Sequence, residues 1–142
     1  MKVLLGGTCN GSLWREKLIP KLEIDFFNPV VPEWNEEAYE RELVERAESD
    51  ICLYVITPKV EGYYAIAEVA DDSNKRPAKT VMCLCDDDDG ARFSTLQLKS
   101  LRKVGQLVAD NGGYFCEGFD ALVSYFGTLN STNQPIASLQ QR

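Results

Sequence analysis

The sequence predicts an α/β domain in which helices cover both faces of a parallel β-sheet. Three observations lead to this fold class: strand-like apolar runs alternate with helical segments, the alternation occurs five times, and the middle run is apolar throughout. That middle run, residues 51–57, is rich in β-branched residues and is typical of a strand buried on both faces. With right-handed crossovers, this order predicts a three-layer, five-stranded, flavodoxin-like sheet.

The first half of the chain supplies two strand–helix pairs and the central strand. Strands are expected at residues 2–5, 24–31 and 51–57, and helices at residues 12–22 and 35–50. Pro20 should shorten or bend the first helix, because proline has no N–H to donate. Asn28 and Pro29 should end the second strand, and Asn35 is a suitable N-cap ahead of an acidic first helical turn.

The second half of the chain completes the alternation and ends in a polar segment. A helix is expected at residues 62–73, a strand at 80–85, a helix at 93–109, a strand at 113–116 and a last helix at 119–129. Residues 1–129 are thus predicted to form one domain, which is long enough to bury a core without disulfides or metal. Residues 130–142 form a polar tail, expected to be disordered or docked on a neighbouring subunit.

Charge and hydropathy exclude several classes of partner. The net charge of −7 disfavours binding to a nucleic-acid polymer or to an anionic membrane surface. Only three apolar residues separate Lys2 from the first glycines, which is too short for a signal peptide, and no apolar run approaches transmembrane length. A cytoplasmic location is therefore expected.

The cysteine and histidine content narrows the chemistry. The five cysteines fall mostly in apolar runs and are expected to be reduced and buried, with Cys83 and Cys85 on one face of a strand. A zinc site has little support, because the chain has no histidine and no second cysteine pair. The lack of histidine also excludes Ser-His-Asp and Cys-His systems, so carboxylates, Tyr, Lys or Cys must carry any acid–base or covalent step.

The loops that follow the strands are the expected ligand-binding positions, because ligands of open parallel sheets bind at the carboxyl ends of the strands. The loop "GGTCNGS", residues 6–12, is glycine-rich and either binds an anion at its backbone N–H groups or is a tight turn. It is neither a P-loop nor GxGxxG. Trp34 and Tyr63 lie in neighbouring loops and either enclose a flat base or cover the sheet edge.

Four consecutive aspartates, residues 86–89, follow the predicted fourth strand. A magnesium site is one interpretation, but a solvated acidic run is the commoner one, because all four carboxylates lie in a single loop. A phosphorelay receiver is excluded, since it needs acids after the first strand and an aspartate after the third, where this chain has glycines and Thr57.

Glu68 is unusual because it lies in the segment "YYAIAEVA" among small, apolar and aromatic residues. It falls less than two turns into the helix that leaves the central strand, and the small side chains of Ala65 and Ala67 would let a ligand approach. A partly desolvated carboxylate there can act as a nucleophile or electrostatic stabiliser at an anomeric carbon. The alternative is a solvent-facing helix residue, and the residues alone favour that alternative.

At these residues the chain resembles the nucleoside 2-deoxyribosyltransferase family, and in particular its short relatives from phages and bacteria. The resemblance covers "KVLLGGTCNGSLWRE", "FFNPVVPEW", "SDICLYVITP" and "GYYAIAEVADDSNKRPAKTV", in the expected order. It implies that Glu68 attacks C1′ of the sugar and that an acid on the preceding helix, matched here by Glu42, assists at the base or sugar. It implies substrate-binding roles for Gly6, Gly7, Thr8, Asn10, Ser12, Trp34, Glu61, Gly62 and Tyr63.

The chain departs from the family pattern at three places. The family usually has Asp where this chain has Glu42, and its further Asp ahead of the nucleophile's helix corresponds only to Glu61, one position away. Family members are homo-oligomers, dimers or larger, in which a neighbouring subunit completes each pocket. At this third place the tail of the chain has no clear match to the family, and Asn130 and Asn133 are the candidates for the residues donated to a neighbour's pocket.

The activity that the resemblance implies is transfer of 2-deoxyribose between nucleobases, through a deoxyribosyl ester of Glu68 and with retention, without metal or cofactor. The partners are then a nucleoside or nucleotide and a free nucleobase. One alternative is an N-glycosidase of deoxynucleoside 5′-monophosphates, in which the glycine-rich loop holds the phosphate with help from Ser12 or Arg15. A second alternative is a non-catalytic protein that binds a nucleotide or a nucleotide-derived signal.

Overall fold

The computed structural model describes residues 1–132 and contains a five-stranded, all-parallel sheet. The strands are β1 (Lys2–Gly7), β2 (Asp25–Phe27), β3 (Ile51–Ile56), β4 (Thr80–Leu84), β5 (Asp87–Asp88), β6 (Ala91–Arg92) and β7 (Tyr114–Glu117). The helices are α1 (Trp14–Leu18), α2 (Glu36–Glu48), α3 (Tyr64–Lys75), α4 (Thr95–Asp110) and α5 (Phe119–Thr132). The strand order is β2-β1-β3-β4-β7, and β5 and β6 form a separate hairpin. The predicted three-layer, flavodoxin-like α/β fold is confirmed.

The core has two halves, one on each face of the sheet, and β3 contributes to both. Ile51, Leu53 and Val55 pack with α1 and α5, and Cys52 and Tyr54 face the opposite layer of α3 and α4. All six residues of β3 are buried, which explains the continuous apolar run in the sequence. Helix α2 contributes little to this core. Its buried side chain is that of Arg46, and its other residues are exposed or partly exposed.

The local signals for the first two helices are confirmed. Pro20 lies in a 3₁₀ turn, Ile19–Lys21, that follows α1 directly, so the helix is short. Asn35 caps α2, and its side-chain oxygen accepts a hydrogen bond of 2.8 Å from the backbone N–H of Ala38. Within residues 1–132, none of the helices has the length and apolar character needed to cross a bilayer.

Three helices begin about two residues later than the sequence predicts, and the first of them, α1, begins at Trp14, not at residue 12. Helix α3 begins at Tyr64, not at Gly62, and α4 begins at Thr95, not at residue 93. The start of α4 is set by a capping box in which the hydroxyl of Ser94 accepts from the N–H of Gln97 and the Gln97 side chain accepts from the N–H of Ser94.

The cysteines behave largely as expected. Cys52, Cys83, Cys85 and Cys116 are buried and free, and the sulfurs of Cys83 and Cys85 lie 3.8 Å apart on one face of the sheet. Cys9 is the exception, because it is exposed in the loop after β1.

The polar tail was expected to begin at Asn130, but α5 continues to Thr132. The side chain of Asn130 is bound within its own chain: it accepts from the N–H of Glu23 at 3.1 Å and donates to the carbonyl of Lys21 at 2.8 Å. It therefore fastens the end of α5 to the turn before β2. Asn133 and the rest of the tail lie outside the described residues.

The interpretation of residues 86–89 as a solvated acidic run is wrong for Asp88. These residues lead into the β5–β6 hairpin, and Asp88 is buried, where it accepts hydrogen bonds from the hydroxyls of Ser12 at 2.5 Å and Thr57 at 2.6 Å. The two hydroxyl groups make the hydrogen bonds that water would make to an exposed carboxylate, so Asp88 can be buried. Among residues 1–132, no three acidic or cysteine side chains converge to hold a metal ion.

We expect Asp88→Ala to lower the free energy of unfolding by about 2 kcal/mol, because it leaves two hydroxyls without their acceptor. Urea denaturation of the variant and the wild type measures the difference. Asp87→Ala is the matched control, since Asp87 is exposed and its carboxylate accepts a hydrogen bond from the Gly90 N–H at the hairpin turn. Equal effects of the two substitutions would contradict a structural role for Asp88.

Candidate active site

A cavity of about 470 Å³ lies at the carboxyl ends of β1 and β3. Its walls come from the loop after β1, the segment after β2, the segment after β3, and the facing sides of α2 and α3. The chain leaves the adjacent strands β1 and β3 toward opposite faces of the sheet, so the cavity lies at the switch point of the strand order. This is the usual ligand position in an open parallel sheet.

Most of the predicted site residues line this cavity. Those that do are Gly6, Gly7, Thr8, Asn10, Trp34, Glu42, Glu61, Gly62 and Glu68. Ser12 and Tyr63 do not: the Ser12 hydroxyl is bound to Asp88, and Tyr63 is 77% exposed. The next residue, Tyr64, lines the cavity in place of Tyr63.

An aromatic and aliphatic wall forms the outer side of the cavity. Trp34 is 63% exposed and packs against Tyr39, with ring centroids 5.6 Å apart and planes inclined by 59°. Val30 and Val31 extend this wall. Tyr39 was not among the predicted site residues, although it precedes Glu42 by three residues and so lies on the same face of α2. This helical spacing was the signal that could have found it.

The loop after β1 is held rigidly against the end of β3. The backbone N–H of Thr8 donates to the carbonyl of Val55 at 2.8 Å, and its side-chain oxygen accepts from the N–H of Thr57 at 2.9 Å. Gly7 has φ of +110°, and a Cβ on it would lie 2.2 Å from the carbonyl oxygen of Val55. The loop therefore requires glycine at this position, whatever it binds.

Arg15 brings a buried positive charge to the inner end of the cavity. Its Nε donates to the carbonyl of Leu5 at 3.0 Å and its Nη1 to that of Thr8 at 2.6 Å, and the guanidinium lies 4.3 Å from the ring centre of Trp14. Its Nη2 is buried and has no hydrogen-bond partner among the described residues. Burial lowers the pKa of Arg15, the cost expected of a desolvated cation.

Glu68 is buried, so the solvent-facing interpretation of this residue is wrong. It is 7% exposed and lines the cavity from the second turn of α3. Its surroundings come from α2, which lies across α3 and places the side chains of Glu42 and Arg46 beside it. Glu42 lines the same cavity.

The carboxyls of Glu42 and Glu68 lie close together in the cavity. Burial, followed by the hydrogen bond and the charge of Glu42, raises the pKa of Glu68 from 4.5 to about 8, and Arg46 acts in the opposite direction. Two carboxyl groups can be joined in this way only when one of them carries a proton. Near neutral pH the pair therefore shares one proton, so the cavity holds one carboxylic acid and one carboxylate.

The raised pKa of Glu68 predicts a pH-dependent cost to stability. Between pH 4.5 and about 8 the folded state retains a proton that the unfolded chain releases, so stability falls as the pH rises through this range. We expect Glu68→Gln to raise the free energy of unfolding by about 1 to 2 kcal/mol at pH 8 and to leave it nearly unchanged at pH 4. Urea titrations at the two pH values test this, with Glu48→Gln on the exposed end of α2 as control. A gain that is equal at both pH values would contradict the assignment.

The fold and the site together define a class: a flavodoxin-like α/β protein with a small-molecule cavity at the switch point of its sheet and a pair of carboxyls inside it. Comparison with protein-family models, with curated proteins and with solved structures finds no match to the chain.

Proposed function

We propose that this protein transfers 2-deoxyribose from one nucleobase to another through a covalent ester on Glu68. The observation that carries the proposal is the carboxyl pair of the buried Glu68 and the partly buried Glu42, in a cavity of about 470 Å³. That volume falls in the range of small-ligand sites, and its apolar wall with a few polar groups suits a nucleoside.

The reaction has two displacement steps at C1′. In the first, an oxygen of Glu68 bonds to C1′, the C1′–N bond breaks, and the proton that Glu68 shares with Glu42 passes by way of Glu42 to the departing base. In the second, a nitrogen of the incoming base bonds to C1′, the ester C–O bond breaks, and the proton of that nitrogen passes to Glu42. Two inversions give overall retention.

The other walls of the cavity suit the remaining parts of the substrate. Trp34, Tyr39 and Tyr64 provide aromatic surface for the flat base. The backbone of Gly6 and Gly7 lines the cavity and can contact the sugar, while the positions that their side chains would take face Tyr54 and Val55 of β3. A 2-deoxy sugar lacks the electron-withdrawing 2′-hydroxyl, so the oxocarbenium-like transition state is reached with carboxylates and a water-poor cavity.

A base-exchange assay tests the proposal. The protein is mixed with a 2′-deoxynucleoside and a different free base, and the exchanged nucleoside is measured by chromatography. We expect the exchanged product to form in proportion to enzyme concentration. No product from purine and pyrimidine donors at high enzyme, together with recovery of bound but unchanged nucleotide, would favour a non-catalytic binding protein.

A second candidate is an N-glycosidase of deoxynucleoside 5′-monophosphates, and Arg15 is the observation that favours it. Its unpaired Nη2 would find a partner in an anionic group placed against the loop after β1. Release of free base from a deoxynucleoside monophosphate without any acceptor base supports hydrolysis. If the phosphate binds here, Arg15→Met lowers kcat/KM for the monophosphate and spares the nucleoside.

We also propose that the protein acts in the cytoplasm as a homo-oligomer. Leu43 and Val44 on α2 and Phe26 on β2 expose apolar surface, which supports a subunit contact. Light scattering coupled to size-exclusion chromatography measures the assembly size. A monomer at micromolar concentration would contradict this part of the proposal.

A further inference from the structure

Arg46 is a buried cation that the two displacement steps do not use. It is 6% exposed, lies one turn after Glu42 on α2, and does not line the cavity. A buried guanidinium is costly unless its charge and its N–H groups are matched, so its partners indicate its role.

The guanidinium is fixed from the side of α3. Its Nε and Nη2 donate to the two carboxylate oxygens of Asp72 at 3.3 and 2.9 Å, and Nη2 also contacts Asp71 at 3.2 Å. Asp72 is itself fully buried and accepts from the hydroxyl of Tyr54 and from Arg76. Arg46 is thus held in one position by groups that lie outside the cavity.

Its remaining nitrogen faces the proposed nucleophile. Nη1 lies 3.7 Å from Oε2 of Glu68, which is an ion-pair distance that leaves the carboxylate oxygen without a hydrogen bond from Arg46. The other ionisable groups that act on Glu68 are Glu42 from α2 and Asp72 and Tyr64 from α3, and the charges of both acids oppose its ionisation. Among the described residues, Arg46 makes the ion pair with Glu68.

We propose that Arg46 is a positioning residue that makes ionisation of Glu68 easier and directs its carboxylate at the cavity when the proton shared with Glu42 leaves for the base. This inference rests on the proposed function for its chemistry. When the ester forms, the negative charge beside Arg46 disappears, and when the ester breaks, the charge returns. Arg46 therefore stabilises the leaving carboxylate of the second step without touching the substrate.

The test compares Arg46→Met, which removes the charge, with Arg46→Lys, which keeps it. Arg76→Met is the matched control, because Arg76 pairs with the same Asp72 carboxylate but makes no ion pair with Glu68. The first readout is the pH dependence of kcat/KM for base exchange. The second needs no activity: ¹³C NMR titration of labelled glutamate carboxyls, with the Glu68 signal assigned by its loss in Glu68→Gln.

We expect Arg46→Met to move the acidic limb of the pH profile and the NMR midpoint of Glu68 upward by about 1 pH unit or more, since that is the effect of removing an opposite charge at this distance. We expect kcat at neutral pH to fall about 10-fold or more with KM nearly unchanged. Arg46→Lys should restore most of the pH profile, and Arg76→Met should leave both midpoints in place.

Arg46→Met leaves the buried Asp72 carboxylate with less compensating charge, and the variant could fail to fold for that reason. In that case the double variant Arg46→Met, Asp72→Asn removes both charges, and it is compared with Asp72→Asn alone. The Glu68 midpoint of the double variant should then be the higher of the two. An unchanged midpoint, or an equal shift in Arg76→Met, would overturn the inference even when exchange activity is present. A shifted midpoint in a protein that exchanges no base would uphold the role of Arg46 and reject the proposed function.

Discussion

Glu68→Gln is expected to reduce base exchange at least about 10³-fold, because the amide has the shape of the carboxylate but cannot form the ester. The loss should appear in kcat, since the cavity and its aromatic wall are unchanged. Initial rates of exchanged nucleoside, measured across substrate concentrations, separate kcat from KM. Glu48→Gln, on the exposed end of α2, is the control and should retain full activity.

The assignment of Glu68 as the nucleophile also has a direct chemical test. A 2′-fluorinated deoxynucleoside slows both displacement steps, so the glycosyl ester should accumulate and increase the intact mass of the wild-type protein. Peptide mapping is expected to place the adduct on Glu68, and Glu68→Gln should show none. An adduct on Glu42 or on another residue would overturn the assignment of the nucleophile, and undiminished exchange by Glu68→Gln would reject the covalent mechanism.

Gly7→Ala is expected to destabilise the protein by about 3 kcal/mol or more, which is a large loss for a single methyl group. The added Cβ would lie 2.2 Å from the carbonyl oxygen of Val55 and 2.5 Å from its nitrogen, and backbone atoms of the central strand cannot move aside. The φ of +110° adds strain for any residue with a side chain. Urea denaturation measures the loss.

Gly127→Ala is the control for Gly7→Ala. Gly127 lies within α5, and a Cβ there meets nothing within 4 Å. Alanine should therefore stabilise the helix by roughly 0.5 to 1 kcal/mol. A Gly7→Ala protein as stable as the wild type would show that the loop after β1 adopts another conformation in solution.

The fold could be predicted because its signals are local. The apolar run of β3, the proline after α1 and the asparagine cap of α2 each lie within a few residues of the structure that they determine. Helix starts were less accurate, since Ser94 and Gln97 set the start of α4 through reciprocal side-chain bonds that apolar periodicity does not register.

The environment of the candidate site could be predicted only in part. The residues of α3 alone favoured a solvent-facing Glu68, because the side chains of Glu42 and Arg46 that lie beside it belong to α2, an earlier helix of the chain. Asp88 was misjudged for a similar reason, since its donors Ser12 and Thr57 are 76 and 31 residues away. Contacts between residues that are far apart in the chain do not produce a periodic pattern, so a single sequence does not reveal them.

The hydrogen bonds of the Asp88 carboxylate limit how the β5–β6 hairpin can be replaced when this protein is redesigned. It joins the connection between β4 and α4 to the rim of the cavity, through one hydroxyl from the loop after β1 and one from the end of β3. A graft that replaces this hairpin must bring an oxygen acceptor to the same point in space. Without it, the new connection would loosen the ligand-facing edge of the sheet even though it never touches a ligand.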